Sequence, residues 1–313
     1  MESWKNQMSL LFKVLTENHE TEGLEAEHGL SVFIQYNGKN YLLDAGQSAV
    51  FARNAVRLGV DLSLVDAAVL SHAHYDHGDG FAEFFRQNRT APLYARKEGR
   101  KLNCYSVKRQ DGHVTSDCRL AKTQGDSAIP EVSARYIGIA PEILEHFPQR
   151  FCWVDSQQEI APGVWLIPHT TPELEKIGVR TGMYRRTEEE GMLLVPDDFD
   201  HEQSLVFEME RGLVIFNSCS HGGVANITEE VRRALPGRRI AAYIGGFHLK
   251  APGQSDGMNC TVQEVEKLGQ SLMELGIEHI YTGHCTGIKG YQVLKSVMGD
   301  MLEPLVTGME CVF

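Results

Sequence analysis

Between positions 72 and 77 the chain reads HAHYDH, three histidines and one aspartate within six residues, directly after the apolar run DAAVL. Imidazole suits zinc, iron and related first-row ions, and carboxylate is its harder companion ligand. Residues two apart in an extended segment project to the same side, so His72 and His74 can grip one ion together. Once the chain turns at Tyr75, Asp76 and His77 can face a second ion. Ions about 3.5–4 Å apart hold a bridging hydroxide and clamp both the attacking and the leaving oxygen. The alternative reading is a set of surface histidines with Asp76 capping the helix that follows. The density of ligand-type side chains and the apolar strand before them favour metals.

Further residues invite the same weighing. His248 follows a strand and a Gly-Gly turn, where backbone can approach a ligand closely; substrate contact or support of a ligand stands against simple packing. His28, at the start of the second strand, is within reach of the same pocket. Glu202 in DHEQSL reads as a solvated or hydrogen-bonded loop carboxylate rather than a catalyst. The aromatic groups FAEFF and HFPQRFCW read as core or pocket wall, and no P-loop lysine motif or GxGxxG follows a strand.

The elements that must position these residues alternate along the chain. LLFKVLTEN and LSVFIQYNGKNYLLDAG read as strands, the second a hairpin around Asn37-Gly38 ending at Asp44. A helix over SAVFARNAVRLGV stops at Gly59, the strand DAAVLSH delivers the histidine cluster, and a helix over GDGFAEFFRQN follows. From about 95 to 162 periodicity is weak, apart from a helix over APEILEHF, and the stretch reads as an insertion over the active-site face. Strands resume at GVWLIPHT, QSLVFEME and GLVIFNSCSHGG, then IAAYIGGFHL and HIYTGHCTG alternate with helices, and LVTGMECVF closes the chain as a strand. Two strand-rich halves punctuated by helices predict an α/β fold: two sheets face to face with helices outside, a four-layer αβ/βα sandwich in one domain over 1–313.

Composition limits the partners. The 313 residues are 42% apolar and 23% charged, enough for a sizeable core. A formal charge of −12 without a compensating basic run argues against nucleic acid. No stretch reaches the roughly 18 apolar residues of a membrane span, and MESWKNQMSLLFKVL lacks a secretory leader's pattern. Seven cysteines without CxxC spacing point to reduced thiols and a cytoplasmic setting.

The run from His72 to His77 fits the HxHxDH motif of the metallo-β-lactamase fold superfamily, and Asp44 after YLL fits its early strand-end aspartate. AEHGLSVFI, LSHAHYDHGDGF, GLVIFNSCSHGGVANI, IGGFHL and GHCTG together resemble the branch named for 7,8-dihydropterin-6-methyl-4-(β-D-ribofuranosyl)-aminobenzene-5'-phosphate synthase. The resemblance implies the metallo-β-lactamase fold and assigns His221 and His284 as later metal ligands. His72, His74 and His221 would surround one ion, and Asp76, His77 and His284 the other. It makes Asp44 a residue that orients a ligand histidine. Where many members carry a bridging aspartate this chain has Cys219, which reads either as a thiolate ligand or as a small buried residue under the site, the second favoured. His169 in LIPHT stands where the superfamily's middle histidine would.

The function expected is a metal-dependent hydrolase with two divalent ions, zinc first, manganese or iron as alternatives, cleaving an ester, amide or phosphoester of a small molecule. Asp76 would aim the hydroxide, and His248 would donate to charge developing on the substrate. The branch name points instead to a synthase joining a pterin to an aminobenzene ribosyl phosphate, with a phosphorylated or pterin-like substrate and a flat aromatic slot from the middle segment. A non-catalytic, metal-containing binder of small ligands is the third reading. The sequence leaves the oligomeric state open.

Overall fold

In the computed structural model, residues 9–107, 118–120, 131–187, 193–251 and 257–313 are described. Most of the polar tracts VKRQDGHVTSDC and AKTQGDSAIP therefore lie outside the described residues. Period-two alternation of apolar side chains builds the architecture. In Leu10–Thr16 and Ser31–Tyr36, Phe12, Val14, Val32 and Ile34 point into one core while Leu15 and Phe33 point into another. The partner sheet repeats the pattern: Leu205, Phe207, Val214 and Phe216 face the first core, and Val206, Leu213 and Ile215 face a third. The first core is thus the seam between two sheets, crossed by an edge-on contact of Phe12 and Phe216 at 5.6 Å.

Each sheet has seven strands. The first runs Phe151–Val154, Leu93–Arg96, Ala67–Val69, Lys39–Leu43, Ser31–Tyr36, Leu10–Thr16, Glu310–Val312. The second runs Gln158–Ala161, Val164–Pro168, Gln203–Met209, Gly212–Phe216, Ile240–Ile244, Ile277–Thr282, Leu302–Pro304. Helices Val50–Arg57, Phe81–Gln87 and Pro141–His146 cover the outer face of the first sheet. Val224–Ala234, Val262–Glu274 and Gly287–Met298 cover that of the second. Helix, sheet, sheet, helix is the four-layer sandwich expected, and the Asn37-Gly38 hairpin forms with both turn residues at positive φ (49° and 73°).

Among the described residues the stretch 95–162 holds more strand than its sequence announces: Cys104–Val107, Cys118–Leu120, Glu131–Val132 and Ala134–Tyr136 join Met183–Arg186 and Leu193–Pro196 in a third sheet of six strands, while Phe151–Val154 and Gln158–Ala161 edge the two large sheets. Strands of two to four residues are too short for alternation to register in the sequence, and their shared core is small, around Val107, Tyr184 and Leu194. This sheet reaches the histidine run directly: the Tyr75 amide donates to the Ile137 carbonyl at 3.0 Å, and His74 bridges Gly138.

Parallel pairing decides where loops emerge. Lys39–Leu43 runs parallel to Ala67–Val69, and Gly212–Phe216, Ile240–Ile244 and Ile277–Thr282 run parallel to one another. The segments holding Asp44, His72, His221, His248 and His284 all leave the carboxyl ends of these strands, the customary place for a ligand crevice.

Candidate metal centre

Six side chains from three loops converge. The donor atoms of His72, His74 and His221 lie within 4.8 Å of one another, as do those of Asp76, His77 and His284, and all six residues are buried. The rings of His72 and His77, one from each group, are 4.3 Å apart. Asp44, Ser220, His248 and His284 all hold left-handed backbone (φ 54°, 53°, 49° and 51°), a strained conformation concentrated around this one point. The crowding is close enough that a Cβ on Gly245 would sit 1.7 Å from the Asn217 carbonyl oxygen, so only glycine lets the loops bearing His221 and His248 meet.

Hydrogen bonds fix where the ring protons are. Asp44, fully buried, accepts from the Ser71 amide and hydroxyl, each at 2.7 Å, and from His77 Nδ1 at 2.7 Å. Because the Ser71 hydroxyl proton goes to Asp44, Ser71 Oγ must accept from His72 Nδ1, 2.8 Å away. His284 Nδ1 donates to Asn18 Oδ1 at 2.9 Å. In all three rings the proton sits on Nδ1, and Nε2 is left with a lone pair. His72 Nε2, His74 Nε2 and both nitrogens of His221 are buried without a partner. His77 Nε2 and His284 Nε2 face each other at 3.2 Å. Two lone pairs at that distance repel, so a proton or a metal cation must lie between them, and without a metal His77 takes that proton.

Charge distribution points the same way. Burial drives the His72, His221 and His284 pKa values well below the ordinary imidazole range, and that of His74 to about 3, so these rings stay neutral and able to bind a cation. Burial also opposes charge on His77, yet the Asp76 and Asp44 carboxylates outweigh it and raise its pKa to about 10. Burial would raise Asp76, but His77, with His284 and His28, holds it well below the usual carboxylate range. Its Oδ2 lies 3.5 Å from His77 Nε2, 3.6 Å from His284 Nε2 and 3.2 Å from His28 Nε2. The donor set therefore fits two divalent cations, three ligands each, with outer carboxylates in support.

The remaining residues singled out in the sequence fall in different places. Asp44 braces His77 as described. His28, half exposed, stacks on His284 with ring centres 5.1 Å apart. His248 lies 4.3 Å from the His221 ring, lines the cavity beside the centre, and has no partner on either nitrogen. Cys219 sits between the two groups: its Sγ is 3.3 Å from His77 Nε2, and it comes within ligand reach both of His72 with His77 and of His284 with Cys285. Burial and the neighbouring Cys285 raise its pKa well above the ordinary thiol value. His169 belongs to neither group; its nitrogens are taken by Glu230 at 2.7 Å and Ser204 at 2.8 Å.

Sequence reasoning missed several supports. Glu17 accepts from the His284 amide, and Glu202 takes the His221 and Gly222 amides on its two oxygens at 2.8 Å each. His201 receives the Ala73 amide on Nδ1 at 3.1 Å, between the two ligands of the HxH run, and its Nε2 faces Asp197 at 3.3 Å. His74, Cys104, Asp197 and His201 also come within 4.8 Å of one another. That group is a strut rather than a further metal site, because the Ala73 amide uses the Nδ1 lone pair and puts the His201 proton on Nε2. The acid-rich run PDDFDHEQ was the available signal, but nothing local ties it to Ala73.

Residues 24–148 match the model of the metallo-beta-lactamase superfamily. The chain is 26% identical over 298 residues to 7,8-dihydropterin-6-methyl-4-(beta-D-ribofuranosyl)-aminobenzene-5'-phosphate synthase of Methanocaldococcus jannaschii, covering 90% of this chain and 89% of that one. It is 27% identical over 293 residues to an uncharacterized protein of the same organism, covering 92% and 94%. The crystal structure of a metal-dependent hydrolase of the beta-lactamase superfamily superposes with a TM-score of 0.70 at 27% identity, over 96% of this chain and 98% of that one. The chain has the metallo-β-lactamase fold and resembles the dihydropterin-related synthase over most of its length.

Proposed function

We propose that this chain is a metal-dependent hydrolase of small molecules, with one divalent ion held by His72, His74 and His221 and a second by Asp76, His77 and His284. Zinc is the expected metal, manganese or iron the alternatives, and the cytoplasm the expected setting. The observation that carries the reading is the inward turn of the donor atoms: Asp44, Ser71 and Asn18 engage Nδ1 of His77, His72 and His284, which leaves Nε2 of each ring directed at the centre, with those of His77 and His284 3.2 Å apart. When bound, such ions act as Lewis acids and lower the pKa of water from about 15.7 towards neutrality.

The chain's own residues supply the rest. Asp76, kept charged by its histidine neighbours, accepts a hydrogen bond from the nucleophile and orients it. His28, half exposed and 3.2 Å from Asp76, holds the Asp76 carboxylate in place from the solvent side. His248, with two unpartnered nitrogens on the cavity wall, donates to charge growing on the substrate. Cys219, wedged against His77, is a thiolate ligand or packing beneath the ions.

A pterin-joining synthase is the second reading, supported by the 26% identity to the enzyme of that name over 90% of the chain. A pterin needs a flat aromatic slot. Among the described residues lining the cavity, Tyr75 is the one Phe, Tyr or Trp, and the Arg135 guanidinium already lies over its ring, 5.1 Å from the centroid. This supports the hydrolase.

Elemental analysis followed by a panel of chromogenic esters and phosphodiesters tests the proposal. Two ions per chain, turnover lost on chelation and regained with metal, and a roughly 10²–10⁴-fold loss in Asp76→Asn are expected. Full metal occupancy without turnover, but with pterin-dependent release of a phosphate-type leaving group, would favour the synthase.

A further inference from the structure

The cavity over the centre has a volume of about 490 Å³, room for a substrate much larger than the bond being broken. Two of its lining residues are cations with no carboxylate partner among the described residues, Arg135 and Lys250. In a chain of net charge −12 they bring positive charge to the wall of the cavity. Both lie on segments that touch the loops carrying the candidate metal ligands. Arg135 lies in Ala134–Tyr136, just before Ile137, whose carbonyl holds the Tyr75 amide, and its guanidinium rests on the Tyr75 ring next to Asp76. Lys250 is two residues past His248, and its amide donates to the Cys285 carbonyl at 2.9 Å, beside His284.

The two cations therefore line the same cavity from different segments, one packed on the His72–His77 loop and the other beside the His284 loop. The Tyr75 ring holds the guanidinium by cation–π attraction, its Cζ 5.1 Å from the ring centroid, and the planar group suits bidentate recognition of an anion. The other lining residues on that side, Ser106, Thr181 and Met183, bring no opposing charge.

We infer that Arg135 and Lys250 form an anion-binding subsite, so that the substrate carries a phosphate or carboxylate group remote from the bond that is cleaved. This rests on the hydrolase reading for the cleaved bond, but not for the binding of the anion.

The test therefore measures binding first. Zinc-loaded protein is titrated with propylphosphonate, 1,3-propanebisphosphonate and 3-phosphonopropionate. The first offers one anionic end, the second a second phosphonate, and the third a carboxylate in its place. The two-ended ligands are expected to bind roughly 10–100-fold more tightly than propylphosphonate, the worth of a charge-assisted hydrogen bond. The preference between the bisphosphonate and the phosphonopropionate identifies the group received. Arg135→Ala and Lys250→Ala should each remove most of the gain while leaving propylphosphonate affinity and zinc content unchanged, and Arg135→Lys should restore part of it. Equal affinity for one-ended and two-ended ligands, or a gain that survives both alanine variants, would overturn the inference. Turnover is read separately: a protein that binds two-ended ligands selectively but cleaves nothing keeps the subsite and sinks the hydrolase.

Discussion

Two buried histidine networks sit in this molecule, and they differ in one respect. Around His169 every polar atom is answered: Nδ1 meets Glu230 at 2.7 Å, Nε2 meets Ser204 at 2.8 Å, and Glu230 also takes the Thr170 amide and the Thr171 hydroxyl. By distance alone Ser204, His169 and Glu230 form a nucleophile–base–acid chain. Ser204 is fully buried and its oxygen also accepts from Asn217 at 3.1 Å, so no substrate reaches it. Around His72, His77 and His284 Nδ1 of each ring is answered, while Nε2 turns to the centre, unpartnered on His72 and 3.2 Å apart on His77 and His284. A closed network fastens the two faces of a fold together; an open one is unfinished without a cation.

Substitutions can break or sharpen this contrast. The largest effect should come from His77→Ala, which removes a ligand and frees Asp44 of its partner. Metal content should fall by about one ion per chain, and activity by more than the roughly 10–100-fold typical of outer-shell partners. Next is Asp44→Asn, which keeps the shape but removes the charge that holds the His77 proton on Nδ1. Metal affinity measured by competition with a chelator should weaken by about 10–100-fold with the fold intact. The smallest effect on the centre should come from His169→Phe. Denaturant unfolding should show a loss of about 1–3 kcal/mol as Glu230 and Ser204 lose a partner, while metal content and activity stay as in the parent chain. Loss of metal in His169→Phe would erase the distinction between the two networks.

What was legible in the sequence follows from how local each signal is. The histidine run announces itself because four ligand-type residues fall within six positions, and the Asn37-Gly38 hairpin because one dipeptide suits left-handed turns. The two large sheets are legible because their strands are long enough for alternation to show. The third sheet is not: Met183–Arg186 ends in two arginines, and Glu131–Val132 has two residues. The supports of the centre are hidden for a different reason. Asn18 meets His284 across 266 positions and His201 meets Ala73 across 128, and no periodicity carries information over such spans. Arg135 and Lys250 look like ordinary surface cations until the fold sets them around one cavity.

The first strand pairs with the last, Leu11 opposite Val312, and the residues just after that first strand, Glu17 and Asn18, grip His284. Contacts so distant in sequence are among the latest to form. A chain still emerging from the ribosome can display the histidine run, but it has not yet made the ring that completes the second ion's ligand set. On the proposed reading the second ion must wait for residue 284, and a product cut short before it would fold a large part of its framework around a centre it cannot close.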